Sequence, residues 1–252
     1  MDRVLDAMIE AARAGGAVAL GHFRRGVEVG LKADRSPVTA ADHEAEAAIV
    51  ETLRRAAPDH GVLGEESGAR GSAERRFIVD PIDGTRNFIR GIPIWAVMVA
   101  LEERGAVTAG VIWEPVRGNL YSARRSQGAF LNGERIRVSR VAALAEATLV
   151  HATLNALRRD GLWDGFVRLV DATGRQRGFG DYLCYTTIAE GKAELALATN
   201  VKVWDLAAAK ILLEEAGGRL TDASGTESLA SGTALASNGL LHEAALRLLA
   251  GR

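Results

Sequence analysis

The stretch Phe77-Ile78-Val79-Asp80-Pro81-Ile82-Asp83-Gly84-Thr85 decides how the chain is read. Three apolar side chains closed by Asp80 read as a short buried strand, and the carboxyl edge of such a strand is where α/β proteins collect ligands. Pro81 stiffens the turn and lacks an N–H, leaving the Ile82 carbonyl to face a cation. Asp83 turns back toward the same point, and Gly84-Thr85 offer backbone N–H groups suited to a phosphate. Two further acidic stretches accompany this one, Gly64-Glu65-Glu66-Ser67 upstream and Trp204-Asp205 downstream. Carboxylates without His or Cys partners select a hard, oxygen-bound cation, Mg²⁺ by default. A cation beside phosphate-binding amides implies metal-assisted phosphoryl chemistry. A bare Asp-x-x-Asp would be ordinary turn chemistry, but the intact string with both flanking motifs is far more specific.

Outward from this stretch the pattern divides. Upstream, apolar spacing predicts helices over roughly 2–23 and 40–57, the second opened by Ser36-Pro37-Val38-Thr39 and stopped by Pro58. Downstream, Trp95–Leu101 and Val107–Trp113 flank Glu102-Glu103-Arg104-Gly105 as a hairpin. Strands at Asn119–Ala123 and Gly128–Leu131 follow, and the Asn132-Gly133 turn precedes one at Ile136-Arg137-Val138. This half reads as helices on an antiparallel sheet. Beyond Ser139 the alternation becomes α/β: strand Thr148–Ala152, helices near 157–171 and 181–190, strand Glu194–Ala198, helix 205–216, strands Gly218–Asp222 and Thr233–Ser237, and a last helix from about 239. The expectation is an α+β subdomain over 1–139 carrying most metal ligands, and an α/β subdomain over 140–252 supplying Asp205, in one compact unit.

Composition narrows the function classes. The 252 residues are 48% hydrophobic, enough for a substantial core. With 31 Lys+Arg against 32 Asp+Glu there is no cationic excess to coat nucleic acid. The amino-terminal helix is one-sided, and no apolar span suggests a membrane partner, so a cytoplasmic location is expected. The single cysteine, Cys184, excludes an internal disulfide and Cys-based metal clusters and reads as a small buried hydrophobe. The five histidines share no metal-ligand spacing, and Trp95, Trp113 and Trp163 read as core or interface.

Asp80–Phe88, with Gly64-Glu65-Glu66, Trp204-Asp205-Leu206-Ala207-Ala208, Ser36–Asp42 and Glu215-Ala216-Gly217-Gly218, resembles the inositol monophosphatase family of Mg²⁺-dependent, lithium-sensitive phosphatases. The resemblance covers nearly the whole chain and implies a layered α-β-α-β-α sandwich. It implies that Glu65, Asp80 and the Ile82 carbonyl hold one metal, that Asp80, Asp83 and Asp205 hold a second, and that a third leans on Glu65. Mn²⁺ is a possible substitute. Asp42 and Thr85 match the pair that orients or deprotonates the attacking water, and Thr39-Ala40-Ala41-Asp42 is equally a helix-capping pattern; the two roles can coexist. The Gly84 and Thr85 amides would take the phosphate, Glu66 would support the site through water, and Lys32 matches a basic residue near the active-site loop. Hydrolysis without a covalent intermediate, by metal-activated water, and a homodimer are further implications.

The alcohol is chosen elsewhere. Inositol-type members carry a glutamate where this chain has Ala198. Arg177-Gly178-Phe179-Gly180-Asp181-Tyr182, Val203–Ala208 and Ser237–His242 look similar to the bacterial histidinol-phosphate phosphatases of the superfamily. Asp181 could pair with the substrate's cationic amine, or cap the helix that starts there. Histidinol phosphate is the leading substrate, inositol 1-phosphate or a broader set of sugar phosphates the alternative. Some relatives also serve transcription complexes, so a regulatory binding protein on a phosphatase fold is the reading from another class.

Overall fold

The structure is a computed structural model and describes residues 2–25, 29–31 and 37–251. Helices α1 (Arg3–Arg25) and α2 (Ala40–Ala56) flank the antiparallel pair β1 (Val29–Leu31) and β2 (Pro37–Thr39). Strands β3 (Gly61–Gly64), β4 (Gly68–Arg70) and β5 (Arg75–Asp83) lead to the one-turn helix α3 (Thr85–Phe88). Next come β6 (Ala96–Glu103), β7 (Ala106–Glu114), β8 (Asn119–Arg124), β9 (Gly128–Leu131) and β10 (Glu134–Ile136). They form an eight-stranded sheet in the order β10-β9-β8-β7-β6-β5-β3-β4, antiparallel except for β3 beside β5. The rest of the chain runs β11 (Thr148–His151), α4 (Leu154–Arg159), α5 (Trp163–Ala172), β12 (Arg175–Arg177), α6 (Leu183–Ala189) and β13 (Leu195–Thr199), then α7 (Val203–Ala216), β14 (Arg219–Thr221), β15 (Thr233–Ser237) and α8 (His242–Leu249). Its five strands order as β12-β11-β13-β15-β14, with β11 parallel to both neighbours.

Period-two alternation explains the layers. Phe77 and Val79 of β5, and Val97, Val99 and Leu101 of β6, face Met8, Ile49 and Leu53 of α1 and α2. The intervening Ile78, Met98 and Ala100 face the other way, into a cluster with Leu183 and Ile188 of α6 and Leu206, Ile211 and Leu212 of α7. The same cluster takes Val150, Ala196 and Ala234 from the second sheet. That sheet's alternate residues Leu149, Leu195, Leu197 and Leu235 pack on Leu157, Phe166 and Ala245 of α4, α5 and α8. The result is the α-β-α-β-α sandwich, with α6 and α7 as its central layer. No helix among the described residues is long and apolar enough to cross a membrane.

Three local departures have physical causes. The helix expected over 157–171 is two helices, because Gly161 takes φ 74° between them. The strand expected at Ile136–Val138 forms earlier as β10: Asn132 and Gly133, at φ 51° and 85°, complete the turn and Glu134 pairs at once with Leu131. The strand expected to close at Asp80 continues to Asp83, with a register shift against β6 between these two residues.

Candidate active site

That irregularity makes the site. A regular strand would send residues three apart to opposite faces, whereas the bulge re-aims one side chain. Asp80 and Asp83 end up on the same cluster as Asp205 of α7, one ligand oxygen of each lying within 4.8 Å of the others. The cleft around them has a volume of about 170 Å³ and is also lined by Glu65, Ile82, Gly84, Thr85, Arg86 and Asp181. Each of the three aspartates is tied by one oxygen to a backbone amide. Ile82 N–H donates to Asp80 Oδ1 at 3.0 Å, Tyr182 N–H to Asp83 Oδ2 at 2.5 Å, and Lys202 N–H to Asp205 Oδ2 at 2.7 Å, which also caps α7.

The electrostatics mark the cluster as short of positive charge. Burial, then the charges of Glu65, Asp83 and Asp205, hold the Asp80 carboxyl well above the usual range. Burial also leads for Asp83, followed by Asp181 and Asp205, against the Tyr182 amide, which pulls the other way. Asp181 is pushed up to about 6 by desolvation in the cleft and by Asp205, with Arg86 opposing. Among the lining residues Arg86 is the single cation. Clustered carboxylates with an oxygen-only donor set fit a hard divalent ion, which offsets their mutual repulsion.

Beside the acidic cluster stands the start of α3. Gly84 sits at φ 91° as its N-cap, and a Cβ there would stand 2.9 Å from the Ile94 carbonyl oxygen and 3.3 Å from Asp181 Oδ2. Only glycine fits. The Gly84 and Thr85 amides donate to no acceptor among the described residues. The Thr85 hydroxyl donates to the Ile82 carbonyl at 3.0 Å and lies 3.5 Å from Asp42 Oδ1. Asp42 is indeed part of a capping box: its Oδ2 accepts from the Thr39 N–H and the Thr39 hydroxyl, both at 2.7 Å. Capping therefore uses one oxygen, while the other faces Thr85.

The remaining expected residues fall in several places. Asp181 lines the cleft and caps nothing: α6 has no side-chain cap, and Asp181 Oδ2 instead accepts from Asn87 Nδ2 at 3.0 Å. Glu66 lines a neighbouring groove beside α2 rather than the cleft, its Oε2 4.0 Å from His43 Nδ1. Ala198 is buried on β13 opposite Ala234 and is not among the cleft's lining residues. Lys32 lies outside the described residues. Cys184 is buried on α6, and Trp95 is buried beside Phe88. Sequence reasoning passed over Arg86 and Asn87, although both lie inside the quoted motif. It also passed over Glu46, whose signal is its position one helical turn after Asp42.

Comparison with known proteins agrees with this architecture. A histidinol-phosphatase from Mycobacterium tuberculosis is 44% identical over 232 residues, covering 89% of each chain. An inositol-1-monophosphatase from Mesorhizobium japonicum is 34% identical over 253 residues, covering 97% of this chain and 95% of its own. Among solved structures, the extragenic suppressor protein suhB from Bartonella henselae superposes with a TM-score of 0.92 at 32% identity, with 98% of both chains covered. The inositol monophosphatase family matches residues 1–251, and it is a metal-dependent family. On this whole-chain match the protein belongs to the inositol monophosphatase family and is a phosphoric monoester hydrolase.

Proposed function

We propose that the protein is a Mg²⁺-dependent histidinol-phosphate phosphatase of the cytoplasm, releasing histidinol and phosphate. The observation that carries the substrate is the placement of Asp181, whose carboxylate lines the cleft instead of capping α6. An ester with a cationic amine close to its phosphate finds there a partner of opposite charge beside the phosphate-binding amides. The 44%-identical relative named histidinol-phosphatase supports this reading.

Two or three Mg²⁺ ions, with Mn²⁺ as a substitute, held by Glu65, Asp80, Asp83, Asp205 and the Ile82 carbonyl, would supply Lewis acidity toward phosphate oxygens and acidify water. The chain's own groups do the rest. The Gly84 and Thr85 N–H groups bind the phosphate. Thr85 Oγ1 directs its proton to the Ile82 carbonyl or Asp42, so its lone pairs accept from water, and Asp42 Oδ1 stands ready to take the proton that water loses. Asp181 orients the amine. Glu66 acts from outside the cleft, through solvent. We also propose that two copies assemble as a homodimer, and that residues 1–139 and 140–252 are two sheet-based halves sharing the cluster around α6 and α7.

Phosphate release from histidinol phosphate and from inositol 1-phosphate, each with Mg²⁺, tests the substrate. The reading expects kcat/KM to favour histidinol phosphate by about tenfold or more, the discrimination expected of a site built on polar pairing. Preference for inositol 1-phosphate overturns the substrate while leaving the reaction class. No release from either ester, or from other phosphomonoesters, favours the regulatory role.

A further inference from the structure

Glu46 belongs to none of the groups assigned so far. It lies four residues after Asp42 on the inward face of α2 and is 3% exposed. Both of its oxygens are engaged: Glu66 N–H donates to Oε2 and Ser67 N–H to Oε1, each at 2.8 Å. On the other side of Glu65, its own N–H donates to the Val79 carbonyl at 3.1 Å, extending the β3–β5 ladder by one residue. Glu65 is thus clamped between the strand that delivers Asp80 and the carboxylate of Glu46. Gly64 makes room for the clamp, since a Cβ there would stand 2.5 Å from Glu46 Oε1.

From this geometry we propose that Glu46 is a positioning residue that sets the metal affinity of the site by fixing the backbone on which Glu65 is carried. The inference rests on the reading that Glu65 faces the metal. A loop that merely had to turn could satisfy its amides with backbone carbonyls or water. Burying a carboxylate is unfavourable in itself and adds little to stability even when paired. What two charge-assisted bonds to successive amides add is a fixed direction for the residue just before them. Outer groups of this kind orient the ligands that touch a metal, and removing them costs metal affinity or activity.

Glu46→Gln keeps the size but turns one acceptor into a donor facing an N–H. The experiment compares full-length wild type, Glu46→Gln, Glu65→Gln and the double variant. Mn²⁺ binding to metal-stripped protein is read by electron paramagnetic resonance, Mg²⁺ dependence by phosphate release from histidinol phosphate, and folding by circular dichroism and metal-free melting. Glu46→Gln should weaken Mn²⁺ binding and raise the half-activating Mg²⁺ concentration by about tenfold, within the range for such outer groups. Most of kcat should return at saturating Mg²⁺. In the Glu65→Gln background the same change should weaken Mn²⁺ binding by less than about twofold, because the two residues act as one unit. Unchanged Mn²⁺ affinity with a lowered melting temperature or kcat overturns the proposal and leaves Glu46 a purely structural residue. Additive losses in the double variant overturn it too. If wild type binds no divalent ion and needs none, the metal reading of the site falls first, and that result is distinct from the others. Should Glu46→Gln fail to fold, Glu46→Asp and Gly64→Ala are measured in its place, with the same shift in metal affinity expected.

Discussion

Replacing Asp181 by asparagine isolates one charge. Asp181 sits at φ 49°, a left-handed conformation that aspartate and asparagine tolerate better than most residues, so asparagine preserves the backbone where alanine would add strain. The bond from Asn87 Nδ2, now 3.0 Å from Oδ2, can be kept by the amide oxygen. What disappears is the negative charge offered to a substrate amine. A hydrogen bond to a charged group contributes about 1.5–3 kcal/mol, and each 1.36 kcal/mol is about tenfold. The variant should therefore lose about ten- to a hundredfold in kcat/KM for histidinol phosphate. β-Glycerophosphate has no amine and should be hydrolysed nearly as before, because the Asp80, Asp83 and Asp205 cluster and the Gly84 amide are untouched. Phosphate release from the two esters, at saturating Mg²⁺ and one pH, decides it. Equal losses on both would mean that Asp181 acts through its neighbours Asp83 and Asp205. No loss on either would mean that the amine binds elsewhere. In both cases the substrate argument fails.

Other expectations are narrower. Chelation should abolish phosphate release and Mg²⁺ should restore it, while Asp83→Asn and Asp205→Asn should be inactive yet folded by circular dichroism; turnover like wild type in either would refute the cluster's role. His242 is fully buried between Ser237 Oγ at 2.8 Å and Thr221 Oγ1 at 3.0 Å, and burial, then Arg219, lowers its pKa to about 4, with Glu243 opposing. The unfolded chain therefore takes up a proton that the folded one refuses, so a stability of roughly 2–3 kcal/mol present above pH 6.5 is lost as pH falls toward 4. Urea unfolding across that window should show the loss in wild type and not in His242→Asn; parallel curves would contradict it. Sedimentation should give the mass of two chains at micromolar concentration, and a single-chain mass would refute the dimer.

Much of the fold is legible because alternation and turn chemistry are local. The hairpin around Gly105 and the strands of 95–131 follow from apolar alternation punctuated by Gly and Asn. What escaped depends on distant partners. β4 and β12 are three-residue edge strands whose pairing, not their composition, makes them strands. The break at Gly161 was hidden inside a continuous amphipathic pattern. At the site, Asp80, Asp83 and Asp205 announce themselves by motif. Glu46 looked like any charged residue on a helix until the loop it holds, twenty positions away, came into contact with it. The sequence leaves Asp181 open between cap and cleft, because a positive φ cannot be read from an aspartate alone.

One rule joins the acidic residues. Asp42, Asp80, Asp83 and Asp205 each give one oxygen to a backbone N–H, of Thr39, Ile82, Tyr182 and Lys202 in turn. The amide fixes the side-chain torsions before any cation or substrate arrives, and so aims the second oxygen. These acids therefore do not need a metal to hold their direction, and the crowded three, Asp80, Asp83 and Asp205, need one only to offset their charge. This explains why asparagine is the informative replacement at Asp83 and Asp205. Its carbonyl oxygen can keep the amide bond and the local backbone, while the group turned to the cluster becomes a neutral donor that no cation accepts. Glutamate keeps the charge, but its extra methylene moves the carboxylate off the amide. An Asp83→Glu variant should consequently retain divalent-ion binding more than Asp83→Asn and still turn over poorly, because the aimed oxygen, and not the charge alone, sets the site.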